Sequence, residues 1–145
     1  MPLRRKFKYS IEEHYRRYHN IKDLSILFQI LQRDYPMYLS SYDTLLKGNR
    51  LFANNMFILK RNDYQNLMEW LFDMLFKLKK ELCLESYTGY QERVLGFLSE
   101  RLISLWIMHH EIKFKELPLI YFKKLKHWRA IPLCVALRNL RTQSW

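Results

Sequence analysis

The chain has 145 residues, of which 49 % are hydrophobic and 16 % aromatic, and its formal net charge is +11. This length allows one domain with a substantial core, and this composition excludes an intrinsically disordered chain. A transmembrane helix needs an unbroken apolar run of about 18 residues, and the sequence contains none.

The positive charge is concentrated at the two ends of the chain. Four basic residues precede the first acid and six follow the last acid, Glu116, whereas residues 10–122 carry a net charge of +1. Basic ends of this kind are typical of a surface for anionic lipid or RNA, or of a solubilising surface. We therefore expect the charge to describe the ends of the chain rather than its fold.

Cysteine usage and the N-terminus indicate the compartment. Cys83 and Cys134 lie far apart in the sequence and match no metal-ligand spacing, which suits a reducing cytosol. The basic N-terminus leads into a charged segment rather than an apolar one, so we predict no secretory signal. The expected location is cytoplasmic.

Three helices are predicted in the first third of the chain, after a strand or linker at residues 3–9. Ser10 and Glu13 have the spacing of a capping box, which predicts a short helix through about Tyr18. Its last five residues, His-Tyr-Arg-Arg-Tyr from 14 to 18, are interpreted as a solvated helix face. A second helix, capped by Asn20, runs to about residue 35, and a third runs from residue 37 to 47 and ends before Gly48. The apolar face of the second helix consists of Leu24, Leu27, Phe28 and Leu31.

The middle of the chain predicts a strand and a long helix. Residues 55–59 form a short apolar run between polar residues and are interpreted as a buried strand. Asn62 and Gln65 predict the start of a helix that ends near residue 82. Its core face consists of Leu67, Trp70, Leu71, Met74, Leu75 and Leu78.

The chain is organised around a helix predicted from Tyr90 to about His110, opened by a capping box at Thr88 and Gln91. At about 100° per residue its apolar side chains cover a wide arc, so the helix should be buried on nearly all sides. The arc consists of Val94, Leu95, Phe97, Leu98, Leu102, Ile103, Leu105 and Trp106. The narrow polar remainder consists of Arg93, Gly96, Glu100 and Ser104.

Arg101 projects into the apolar arc of this helix and therefore needs a partner. One interpretation is a structural ion pair. The other is a site helix, in which Arg93, Glu100 and Arg101 bind an anionic or hydroxyl-rich substrate. The spacing alone leaves both open.

After this helix, residues 112–117 alternate in polarity and residues 119–122 are apolar, which predicts a strand interrupted at Pro118. Residues 123–145 are basic and carry Trp128 among several aliphatic side chains. This mixture is typical of an interfacial helix on an anionic membrane, although Pro132 interrupts it. We therefore divide the chain into a domain at residues 1–122 and a basic amphipathic tail at residues 123–145.

Six segments of the chain, taken together and in order, resemble a bacterial glycosyltransferase family of capsular and exopolysaccharide gene clusters that has long been catalogued as a domain of unknown function. The matching segments are Lys22-Asp23-Leu24, Tyr35-Pro36-x-Tyr38-Leu39, Asn55-Met56-Phe57-Ile58, Glu69-Trp70-Leu71-Phe72, Tyr90-Gln91-x-Arg93-Val94-x-Gly96-Phe97-x-Ser99-Glu100-Arg101-Leu102 with Trp106, and Glu116-Leu117-Pro118. The resemblance covers residues 3–122.

The resemblance implies an α/β, predominantly helical fold: the C-terminal part of a GT-A-like nucleotide-sugar transferase, with about five helices and two or three short strands. Residue 3 corresponds to a point partway along the family pattern. We therefore expect the N-terminal half of the pattern to be missing. The resemblance implies that this half carries the nucleotide site and the ligands of a divalent cation such as Mn²⁺ or Mg²⁺. We expect no cofactor or metal site in this chain, and the chain alone is expected to be inactive if that half is absent.

The implied reaction transfers a hexosyl unit from a nucleotide sugar to a saccharide acceptor, which is lipid-linked, at the inner face of the cell membrane. Glu100 is the candidate catalytic base, and pairing with an arginine is its alternative role. Asn55, Tyr90, Arg93 and Arg101 are the candidate substrate-binding residues. For Asn55, an ordinary turn asparagine is the alternative.

Several kinds of site are excluded by the sequence. Three scattered glycines form no phosphate-binding loop, no Asp-x-Asp occurs, and no pair of histidines has metal-ligand spacing. Two other classes of function stay open: a non-catalytic remnant or partner subunit of a split transferase, and a basic helical nucleic-acid-binding module, which only the charged ends favour. The expected partners are the two substrates, an anionic membrane surface at residues 123–145, and a separate N-terminal half or a second copy of the chain.

Overall fold

The computed structural model describes residues 1–53 and 56–118. Within these residues there are five α-helices and a two-stranded antiparallel sheet, in agreement with the predicted fold class. The helices are α1 (Ile11–Tyr18), α2 (Lys22–Asp34), α3 (Leu39–Lys47), α4 (Arg61–Glu81) and α5 (Val94–His109). The strands are β1 (Arg5–Lys6) and β2 (Arg50–Leu51), with Arg5 opposite Leu51 and Lys6 opposite Arg50. Short 3-10 helices are formed by Pro36–Tyr38, Leu84–Ser86 and Gly89–Arg93.

Helix α5 lies at the centre of the described fold, in contact with α2, α3, α4 and β2. From Phe97 to Ile107 every residue of α5 except Glu100 is buried. A helix that is apolar on nearly all sides is stable in water only when other elements cover it. The prediction of a central, buried helix is confirmed.

The predicted apolar faces of the other long helices are largely confirmed. On α4, five of the six predicted core residues are buried and Leu75 is partly buried. On α2, Phe28 is 42 % exposed and Ile30 is fully buried. The buried face of α2 is therefore rotated slightly from the predicted one.

The predicted ends of the first three helices are mostly correct. Ser10 Oγ accepts a hydrogen bond from the backbone N–H of Glu13 at 3.2 Å, which caps α1. Asn20 Oδ1 accepts one from the backbone N–H of Lys22 at 3.1 Å, at the start of α2. The N–H of Gly48 donates to Thr44 and Leu45 carbonyls and closes α3. The third predicted helix begins with a 3-10 turn, because the α-helix itself starts at residue 39.

Two predicted capping boxes are wrong. Helix α4 begins at Arg61, one residue before the predicted cap Asn62, and its N-cap residue makes no side-chain capping bond. Before α5, Thr88 also makes no side-chain capping bond, and residues 89–93 form a 3-10 helix. Gln91 instead binds the end of α1. Its side chain makes this tertiary contact and therefore does not form the cap that the local pattern predicts.

Two predicted strands are also wrong over the residues that the structure describes. Residues 56–60 have no regular structure, and Ile58 is 91 % exposed. A strand needs a backbone partner, and β2, at residues 50–51, is the segment that pairs with β1. Residues 112–116 are irregular, and at Leu117 there is only an isolated parallel bridge to Pro2. The apolar run at residues 119–122 and the predicted tail at residues 123–145 lie outside the described residues.

The N-terminus is joined to the segment after α5. The backbone N–H of Leu3 donates to the Leu117 carbonyl at 3.0 Å, and that of Leu117 donates to the Met1 carbonyl at 2.8 Å. Arg4 Nε lies 2.7 Å from Glu116 Oε1. These bonds hold the start of the chain against the segment that follows α5.

Candidate functional site

Arg101 lies in the interior as the sequence predicts, with 2 % of its surface exposed. Its Nη1 donates to the Phe97 carbonyl at 2.5 Å, and its guanidinium carbon lies 4.5 Å from the centre of the Tyr15 ring. Glu100 Oε2 is 3.9 Å from Nη1, which is longer than a hydrogen bond. Among the residues that the structure describes, Nε has no hydrogen-bond partner. The predicted structural ion pair is therefore a long one, and a carbonyl and an aromatic ring are the closer partners of the buried charge.

Glu100 is the one residue between positions 97 and 107 that reaches the surface of α5, and its side chain is 26 % exposed. Burial raises the pKa of this carboxyl above its ordinary value. The guanidinium groups of Arg101, Arg93 and Arg5 oppose the shift, because positive charges favour the carboxylate. The structure thus places this half-buried carboxylate beside the buried guanidinium group of Arg101, 3.9 Å away.

The other candidate residues lie at different depths. Arg93 is exposed, and its guanidinium carbon lies 5.9 Å from the centre of the Phe97 ring. Tyr90 is 63 % exposed and packs against the same ring at 4.9 Å. Asn55 lies outside the described residues. The structure therefore brings Tyr90 and Arg93 together with Glu100 and Arg101.

Ser104 does not belong to the polar remainder of α5 that the sequence predicts. Its side chain is buried, and its Oγ donates to the Glu100 carbonyl at 2.9 Å and accepts from the backbone N–H of Phe52 at 3.1 Å. Ser104 joins β2 to α5 and has a structural role beneath Glu100.

Asp23 is a buried polar residue whose role the sequence analysis missed. It is fully buried, and its two carboxylate oxygens accept hydrogen bonds from the hydroxyl groups of Tyr15, at 2.7 Å, and Tyr87, at 2.5 Å. This network joins α1, α2 and the segment before α5. Burial and the bond to Asp23 raise the pKa of Tyr15 far above its ordinary value, and that of Tyr87 to about 12. Both hydroxyls are therefore protonated donors at neutral pH.

A second contact holds the same segment. Gln91 Nε2 donates to the Tyr18 carbonyl at 2.8 Å, and Gln91 Oε1 lies 3.2 Å from His19 Nδ1. The His19 ring packs on Phe97 at 4.1 Å. The end of α1 is thus fixed against the residues that carry Tyr90 and Arg93.

The interpretation of residues 14–18 as a solvated face is correct for only part of the segment. Arg16 and Arg17 are exposed and pair with Glu12 and Glu13. Tyr15 is fully buried. His14 is half-buried. Burial and the charge of Arg101 lower the pKa of its ring. Within the described residues, its Nδ1 has no hydrogen-bond partner. The spacing of Ile11 and Tyr15, one helical turn apart, was the available signal that one side of this helix faces the interior.

Neither a metal site nor a membrane span is found in the described part of the chain. No three His, Cys, Asp or Glu side chains there are placed to hold a metal ion, so the divalent cation implied by the family has no matching ligands, and we derive no step through it. No helix there combines the length and apolar character needed to cross a bilayer. Cys83 is exposed and unbridged, and Cys134 lies beyond the described residues.

The family of the chain follows from its sequence as a whole. The profile described as "Domain of unknown function (DUF4422)" matches residues 1–111. The chain belongs to this family. No curated protein matches this DUF4422 member.

A solved structure shows the same fold. The apo structure of the bifunctional glycosyltransferase WbbM is similar to this DUF4422 chain, with a TM-score of 0.71 and 23 % sequence identity. The match covers 81 % of this chain and 22 % of the WbbM chain. The DUF4422 chain therefore has a glycosyltransferase-like fold and spans less than a quarter of the length of that enzyme.

Proposed function

We propose that this chain forms part of a glycosyltransferase of capsular or exopolysaccharide biosynthesis. The reaction transfers a hexosyl unit from a nucleotide sugar to a saccharide acceptor. Its fold supports this class, since the solved structure that it resembles is that of a glycosyltransferase. The observation that carries the proposal is Glu100, a half-buried carboxylate in the otherwise buried part of α5 between residues 97 and 107.

Glu100 is proposed as the base that removes the proton from the acceptor hydroxyl. Burial raises the pKa of its carboxyl, which makes the carboxylate a stronger base than a fully solvated one. The guanidinium groups of the arginines limit this rise in the pKa of Glu100, because they stabilise the charged form of the carboxyl.

The neighbouring residues are proposed to bind substrate. Arg93 is exposed beside Glu100 and can pair with an anionic group. Tyr90 presents an exposed ring to which the apolar face of a sugar can pack. Arg101 is too deeply buried to be a first contact, and its charge acts on the site through Glu100.

Sugar transfer by membranes of the source organism tests the proposal. Membranes of wild-type cells should incorporate a labelled hexose from a nucleotide sugar into saccharide, and membranes of a strain without this gene should not. Returning the gene with Glu85→Gln should restore incorporation, because Glu85 is an exposed carboxylate on the 3-10 helix Leu84–Ser86 and not on α5. Returning it with Glu100→Gln should leave incorporation at least about 100-fold below that of wild type, because a general base usually contributes a factor of this size.

Two outcomes would contradict different parts of the proposal. Unchanged incorporation after deletion of the gene would contradict the transferase function. Full restoration by Glu100→Gln, with protein level and melting temperature equal to wild type, would contradict only the assignment of the base.

A further inference from the structure

Helix α4 carries a second apolar face beside the one that it buries in the core. At about 100° per residue, five further apolar side chains of this helix fall within an arc of about 120°. They are Tyr64, Met68, Phe72, Leu75 and Phe76, and we call them the outer face of α4. Phe72 is 52 % exposed and Phe76 is 61 % exposed, and their ring centres lie 6.2 Å apart.

This apolar surface continues from the start of α4 onto the segment before it. The ring centre of Phe57 lies 6.3 Å from that of Tyr64. On either side of Phe57, the side chains of Met56 and Ile58 are exposed. These three residues also form a wall of an open apolar cavity of about 490 Å³, with Leu117 among the residues across from them. A contiguous exposed patch of this kind marks an interaction surface, whereas single exposed apolar residues do not.

The charges on the outer face of α4 are all positive. The same arc holds Arg61 in the first turn of the helix and Lys79 in the last, about 27 Å apart at about 1.5 Å per residue, and both are exposed. The nearest acid of the helix, Glu69, falls just outside the arc. Within the described residues neither Arg61 nor Lys79 takes part in an ion pair. On the far side of α4, in contrast, Lys77 is paired with Asp73 at 2.7 Å.

A membrane surface of anionic lipid matches an apolar stripe with an unpaired cation at each end. The aromatic and aliphatic side chains can enter the boundary between headgroups and acyl chains, while Arg61 and Lys79 reach the headgroup phosphates. A second copy of the chain is a poorer match. A two-fold pairing of two outer faces brings Arg61 of one copy towards Lys79 of the other, and like charges repel.

We propose that the outer face of α4, together with residues 56–58, docks this chain on an anionic membrane surface with the axis of α4 along the membrane plane. The inference goes beyond the proposed function, since it needs no sugar transfer. It also uses a different surface from residues 123–145, for which the sequence alone predicts contact with an anionic membrane. The docking surface lies wholly within the described fold.

Sedimentation of the purified full chain with lipid vesicles tests the inference. Wild type should bind vesicles of equal parts phosphatidylglycerol and phosphatidylcholine, and should bind vesicles of phosphatidylcholine alone at least tenfold more weakly. Phe72→Ser and Phe76→Ser should each weaken binding to the anionic vesicles about fivefold or more, because each removes a ring from the membrane boundary. Arg61→Gln and Lys79→Gln should each weaken it about fivefold, the usual contribution of one cation near an anionic surface.

Two matched controls lie on α2, which packs against another side of α4. Phe28→Ser removes an exposed ring that packs on Tyr42, with 6.3 Å between ring centres. Lys22→Gln removes an exposed charge. Each should change binding less than twofold. Melting temperatures measured by circular dichroism show that each variant is folded, and the two charge variants decide the test if a serine variant melts below wild type.

Three results would overturn the inference. The first is no binding of wild type to the anionic vesicles. The second is binding that the Phe72 and Phe76 variants leave unchanged, or that Phe28→Ser weakens equally, because another part of the chain would then carry it. The third is a dimer in sedimentation equilibrium that Phe76→Ser dissociates, which would assign the outer face to a second copy. None of these measurements involves sugar transfer, so their failure is distinct from failure of the proposed reaction.

Discussion

Single residues hold the candidate site together, and Asp23 is the clearest example. Its carboxylate is fully buried and binds the hydroxyls of Tyr15 and Tyr87. Arg101 lies over the ring of Tyr15, so the same tyrosine links the buried acid to the buried arginine. A buried carboxylate is tolerated only when hydrogen bonds replace the water that it loses. The two tyrosines supply those bonds.

Asp23→Ala should lower the free energy of unfolding by about 2–3 kcal/mol, because it leaves two buried hydroxyl groups without their acceptor. Asp23→Asn should cost less, since its amide oxygen still accepts one of the two bonds. Urea denaturation monitored by circular dichroism measures both. Asp43→Ala is the control: Asp43 pairs with Lys47 in solvent and should contribute less than about 0.5 kcal/mol. A cost for Asp23→Ala as small as that of the control would show that the network does not stabilise the fold.

At the scale of elements, the segment from residue 84 to α5 is fixed by tertiary contacts rather than by a helix cap. Thr88 makes no side-chain capping bond, while Gln91 and Tyr87 bind α1 and α2. The turn into this segment needs Gly89, whose φ is +57°. Gly96, in contrast, lies in the first turns of α5, and a Cβ added there meets no atom within 4 Å.

The two glycines should respond to alanine in opposite directions. Gly89→Ala should destabilise the protein by about 1 kcal/mol or more, because a side chain disfavours this left-handed conformation. Gly96→Ala should stabilise it by about 0.5–1 kcal/mol, because alanine loses less backbone entropy in a helix. Thermal unfolding of the two variants beside wild type measures both effects. A stabilising Gly89→Ala would show that the turn adopts another conformation in solution.

At the scale of the whole molecule, the half-buried His14 and His19 and the more exposed His110 make stability depend on pH. Burial lowers the pKa values of His14, His19 and His110 below the ordinary value of 6.5. Between the unfolded and folded pKa values the unfolded chain binds more protons than the folded one. The stability contributed by these neutral histidines is therefore complete above about pH 6.5 and is lost as the pH falls through their folded values. Glu100, whose pKa is raised, has the opposite effect at lower pH.

The free energy of unfolding should therefore fall between pH 7.5 and pH 5.5, by an amount that the partial exposure of the three rings keeps small. Urea denaturation at several pH values measures this dependence. His14→Gln should make the dependence shallower, whatever its effect on stability at pH 7.5. A dependence that is unchanged in His14→Gln, or that has the opposite sign in wild type, would contradict the burial of neutral histidines.

The sequence by itself determined the helices of this protein and the central place of α5. Their apolar periodicity is a local property, and burying such faces is the main source of stability in any fold. The interior position of Arg101 followed from the same periodicity. The sequence also assigned Glu100 and Arg101 to one candidate site, because they are neighbours on one helix.

Only the tertiary structure decided the contacts between distant segments. Gln91 caps no helix, because it binds Tyr18 and His19 across the fold. Residues 56–60 form no strand, because apolar character cannot supply a backbone partner. Tyr15 lies under Arg101 and His19 packs on Phe97 because the end of α1 contacts α5, and residues separated by some eighty positions leave no local pattern of their contact. Periodicity reports which face of an element is buried, and packing alone decides what lies against it.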